Sequence, residues 1–88
     1  MCTYINQEAP IAGSGKGPQG WFQVTRASIG FDHPVHAPYG HAMLLDFSNP
    51  ALGPAARVAV EMNVTSARAL VQTLQATIDA AEASGVAE

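Results

Sequence analysis

Eighty-eight residues hold one domain, residues 1–88, because a chain this short closes around a single core at most. A hydrophobic fraction of 48% excludes a disordered chain, and no run reaches the roughly 18 apolar residues that a membrane helix needs. With four Lys and Arg, well scattered, and a net charge of −3, the chain lacks the clustered cations that bind phosphate backbones, which excludes DNA and RNA as partners.

From the N-terminus, Cys2-Thr3-Tyr4-Ile5 predicts a short strand, and residues 6–20, rich in Gly, Pro and Ser, predict a loop. Residues 21–31 are rich in aromatic and β-branched types and predict a strand whose alternation changes phase. Phe22 and Val24 point one way, Ala27, Ile29 and Phe31 the other, which a β-bulge near Thr25 to Ala27 reconciles. Residues 32–40 predict a second loop, and His41 to Phe47 a strand with His41, Met43, Leu45 and Phe47 on one face. Asn49-Pro50 and Gly53-Pro54 mark a turn, because Pro removes a ladder donor and Gly permits positive φ. Val58, Val60, Met62 and Val64 alternate along the next strand, which pairs antiparallel with the one before it.

Over residues 64–84, Ala67, Leu70, Val71, Leu74, Ile78 and Ala81 repeat at helical spacing, with Arg68, Gln72, Gln75, Asp79 and Glu82 on the other faces. Thr65 or Ser66 is the expected N-cap and Gly85 the expected left-handed stop. Strands followed by one helix predict an α+β fold: an antiparallel sheet of three to four strands with the C-terminal amphipathic helix packed on one face. One helix covers part of such a sheet, so the remaining apolar surface predicts a homo-oligomer, a dimer before larger assemblies. No charged and apolar leader opens the chain, and one cysteine builds no internal disulfide, so a reducing cytoplasm is the expected compartment.

The chemistry-bearing residues gather in one place. His33, His36 and His41 are the chain's three histidines, within nine consecutive positions, and Cys2 is its only cysteine. Three imidazoles and a thiolate make a complete ligand set for Zn²⁺ or another divalent transition metal, closed with Cys2 or open with water in its place. Pro34 and Pro38 stiffen the loop, Gly40 lets the chain swing His41 inward, and Asp32 and Asp46 are candidates to orient an imidazole or replace one. The plainer alternative makes His41 a buried strand residue and leaves His33 and His36 in water.

Cys2 carries a second reading, as a nucleophile activated by its own α-amine once Met1 is removed. The opening Met1-Cys2 resembles the class-II glutamine amidotransferases in those two residues only, and the chain is too short for that fold. Gly13-Ser14-Gly15-Lys16-Gly17 does not fit a phosphate loop: Pro10 and Gly17 stand where Gly and Ser or Thr are required. The segment is either a surface connection followed by core aromatics or a mobile lid that brings Lys16 to an anionic small molecule, with Trp21 and Phe22 as an apolar wall and Asp32 a further candidate contact.

The opening Met1-Cys2-Thr3-Tyr4-Ile5, the block from Ala12 to Phe22, the run Phe31-Asp32-His33-Pro34 to His36-Ala37-Pro38, and Asn49 to Pro54 resemble a family of short bacterial proteins classed as domains of unknown function. The resemblance spans nearly the whole chain; it implies a protein complete in itself and supplies no mechanism. Two functions follow from the residues: a small metalloprotein built on His33, His36 and His41, with or without Cys2, or a non-catalytic oligomeric protein that binds a small molecule or serves a partner.

Overall fold

The structure, a computed structural model, describes residues 5–86. Four strands, β1 (Ile5–Gly17), β2 (Gly20–Asp32), β3 (Ala42–Ser48) and β4 (Arg57–Met62), form an antiparallel meander in chain order. A single helix, α1 (Val64–Ser84), follows. This is the α+β arrangement expected: a four-strand antiparallel sheet with one C-terminal helix packed against it.

The largest departure is at the N-terminus. Residues 6–20, expected as a loop, form β1 and a two-residue turn at Pro18-Gln19 that closes a long hairpin onto β2, with Gly17 opposite Gly20. Gly and Pro misled because β1 is an edge strand. Pro10 needs no donor where there is no outer neighbour, and Gly15 lies where an added Cβ would come within 3.0 Å of Val24 Cγ2. Gly20, at φ 109°, supplies the positive φ that turns the chain back. Of the short strand expected at residues 2–5, Ile5 opens β1; Cys2, Thr3 and Tyr4 lie outside the described residues.

The bulge falls at the expected level, with its extra residue on the neighbouring strand. Pro10 pairs with Arg26 and Gly13 with Val24, so Ile11 and Ala12 share the space opposite Thr25. Val24 and Ala27, three residues apart on β2, are both buried.

Beyond the bulge, register sorts the sheet into two faces. Ile5, Ala9, Ala27, Ile29, Phe31, Met43, Leu45, Phe47, Val58, Val60 and Met62 share one, with Gln7 as the polar exception; Glu8, Arg26, Ser28, Asp46, Ser48, Arg57 and Glu61 share the other.

The connection from β3 to β4 is a 3-10 turn at Pro50–Leu52. Asn49 caps it, with its Oδ1 accepting from the Ala51 amide at 3.2 Å and its Nδ2 donating to the Gln23 carbonyl at 3.0 Å. The strand expected to reach Val64 stops at Met62, because Asn63 caps α1, accepting from the Ser66 amide at 2.8 Å; Thr65 and Ser66 are already inside the helix. Gly85 ends it in the left-handed conformation, as expected. The helix meets the sheet at β3, and Leu70, Val71, Leu74 and Ile78 of its apolar stripe are exposed. Among the described residues, the buried apolar ones are few and mostly small: Val24, Ala27, Ala42, Leu45 and Ala56.

Candidate functional site

The histidine loop spans the gap between β2 and β3, and a carboxylate from another strand fixes its course. Glu61, on the polar face of β4, accepts from the His36 and Ala37 amides at 2.9 Å each through Oε1, and from the Val35 amide through Oε2. Three converging backbone donors make a nest for one carboxylate. They hold the Glu61 carboxyl below the usual carboxylate range, the Val35 bond contributing most. A group depressed in this way stabilises the fold above its ordinary pKa, and the contribution is lost as pH falls through the depressed value. Acidification should therefore release the loop: the Val35, His36 and Ala37 amide resonances should move together below the ordinary carboxylate range. In Glu61→Gln they should already stand near those positions at neutral pH; amides unmoved by that substitution would contradict the clamp.

Within the loop, the three imidazoles take two directions. His33 and His41 stack at 4.4 Å between centroids, tilted 33°, and His41 stacks on Phe31 at 5.5 Å and 18°, giving a column of three rings at the end of β2. His33 Nδ1 lies 2.7 Å from the Gly40 carbonyl, which can only accept, so Nδ1 carries the proton. His36 lies apart from this column, lining a cleft with Val35, Ala37, Arg57, Ala59 and Glu61. His41 stands one residue before β3, outside the strand it was expected to open. Asp32 accepts from the His33 backbone amide at 2.6 Å, not from a ring, and Asp46 is taken by Arg57 Nε at 2.6 Å. Among the described residues, no group of three or more His, Cys, Asp and Glu is arranged to hold a metal ion, and Cys2 lies outside them.

Lys16 and Trp21 are cross-strand partners at the end of the β1–β2 hairpin. They border an apolar groove with Ile11, Val24, Phe47 and Val58, so the segment expected as a lid is a strand-built arm. Asp32 sits away from them, in a polar groove with Asn6, Ser28 and Asp46.

Sequence reasoning missed Glu61, Arg26, Arg57 and Asn49. Glu61, between Val60 and Met62, and Arg57, between Ala56 and Val58, alternate with apolar neighbours, and that alternation is the signal that places them on a polar face; Arg26, after Thr25, carries no such signal.

Among the described residues, no helix is long and apolar enough to cross a membrane. In comparison with known proteins, the model of a family of unknown function (DUF6295) matches residues 1–87. No curated protein and no solved structure matches the chain.

Proposed function

We propose that this chain, which belongs to the DUF6295 family and takes no activity from it, is a non-catalytic homodimeric binding or accessory protein. It pairs through its apolar sheet face and helix stripe, and keeps its polar face for a ligand or partner. The surface of the single chain carries this reading. A compact monomer of 9.2 kDa exposes roughly 4,900 Å², and this chain exposes 6523 Å². The excess, about 1,600 Å², falls within what each copy loses in an obligate dimer, where about 2,000–5,000 Å² is buried in all. The radius of gyration agrees: 14.7 Å against about 12 Å for a compact chain of this length. A lone cysteine fits a reducing cytoplasm, the compartment assigned with this reading.

Sedimentation equilibrium should return twice 9.2 kDa, and the melting temperature should rise with protein concentration, because mass action ties folding to pairing. A 9.2 kDa species with a concentration-independent melting temperature contradicts the reading.

One observation favours a second reading, the metal site. His33 and His41 are neighbours, and His33 gives its Nδ1 proton to a backbone carbonyl, the arrangement by which ligating imidazoles are oriented. On this reading the pair, joined by Cys2, binds Zn²⁺ or another divalent transition metal. Protein purified without a histidine tag should then carry a stoichiometric metal, and His33→Ala should lower the melting temperature in zinc-loaded samples only. Metal at a small fraction of an equivalent, unchanged by zinc addition and desalting, removes it.

A further inference from the structure

On the polar face, β2, β3, β4 and the connection from Pro50 to Ala56 enclose a cleft of about 370 Å³, within the roughly 300–1,000 Å³ of small-molecule sites. Register builds its floor. Arg26, Ser48 and Arg57 are direct partners across three adjacent strands, with Ser28 opposite Asp46 in the next row. Half of the chain's four Lys and Arg therefore line one cleft in a protein of net charge −3.

Neither guanidinium is fully used. Asp46 takes Arg57 Nε at 2.6 Å, the one side-chain hydrogen bond to Arg57 among the described residues. Arg26 reaches Glu8 at 3.6 Å, a long and solvent-exposed pair of small worth. Its side chain is 43% exposed, yet its Nε is shut off from solvent and has no hydrogen-bond partner among the described residues. A nitrogen closed to water is closed to a ligand oxygen as well, so the exposed terminal nitrogens of Arg26, and not its Nε, are the donors offered to the cleft. Arg26 and Arg57 face two carboxylates, Glu8 and Asp46, so the local charges offset; what the cleft offers is the Arg fork, which is matched to oxyanions.

We propose that this cleft binds a small molecule through an oxyanion group, a carboxylate or a phosphate, held between Arg26 and Arg57 with the Ser48 hydroxyl donating to it. The proposal deepens the binding-protein reading and rests on it. The cleft nevertheless lies within one chain, on the face opposite the pairing surface, so failure to pair does not remove it.

The test is a titration of isotope-labelled protein with inorganic phosphate, and in a second arm with acetate, against chloride at constant ionic strength. The Arg26 and Arg57 Nε–H resonances are followed by NMR, and the mass is measured in the same samples. Saturable shifts at both arginines are expected in at least one arm, and the arm that saturates at lower concentration names the group. Arg57→Gln should weaken binding by about tenfold, as loss of a charge-assisted bond implies, and Ser48→Ala, which spares the Asp46 pair, by a few-fold. Shifts that track chloride without saturating in both arms overturn the proposal in the wild-type protein, whatever the variants do. A monomeric mass with saturable shifts removes the pairing and leaves the cleft.

Discussion

Leu74→Asp is expected to split the protein into single chains. Leu74 lies mid-helix on the stripe with Leu70, Val71 and Ile78 and is 53% exposed in one chain. If the chain acted alone, a polar residue on that open surface would change stability by about 0.5 kcal/mol or less. Against a second copy, the same substitution puts a carboxylate into an apolar interface with no partner, at a cost of several kcal/mol. The mass should fall to 9.2 kDa, and the melting temperature should drop and lose its dependence on concentration. Gln72→Asp, on the polar side of the same helix, should leave both unchanged. A Leu74→Asp protein with the wild-type mass and melting temperature would take the helix out of the interface.

The second large effect is expected at Leu45, 9% exposed and opposite both Ile29 and Val60 at the middle of the apolar face. Leu45→Ala removes a well-packed side chain and should cost about 2–5 kcal/mol, lowering the melting temperature by about 10 °C or more for a chain of this size. Its neighbours make the sharper comparison. Ile29 and Val60 are each 39% exposed in one chain, so alone they should lose clearly less than Leu45 when truncated. Paired, their outer surfaces are covered too, and Ile29→Ala and Val60→Ala should approach the Leu45→Ala cost in thermal melts. Small losses at both, beside a large one at Leu45, would mean that this face stays in water.

The elements with regular periodicity were legible from sequence: α1 over residues 64–84, and the alternation of β3 and β4, since each repeat reports a buried side directly. β1 was not. A Gly- and Pro-bearing strand at a sheet edge has the composition of a loop, and its pairing comes from β2, which no local pattern in residues 6–20 records. The cap shows the same limit on a smaller scale. Asn63 sits between a strand and a helix, and the alternation through Val64 obscured the break that Asn63 makes. For the histidines, nearness along the chain located the loop but not the ring directions. Those depend on Glu61, about 25 residues further on, drawing Val35 to Ala37 toward β4 while His41 stacks on Phe31 and His33 on His41. The cleft of Arg26, Ser48 and Arg57 needs the register of three strands, and register belongs to the folded sheet.

The apolar face and the helix stripe are either covered by a second copy or open to water, and NMR on a mixture of labelled and unlabelled chains distinguishes the two. Magnetisation should pass from methyl groups of Leu74, Ile78, Ile29 and Val60 in labelled chains to protons of unlabelled ones. Methyl groups that see only their own chain, in a protein sedimenting at 9.2 kDa, would contradict the pairing on which the proposed function depends.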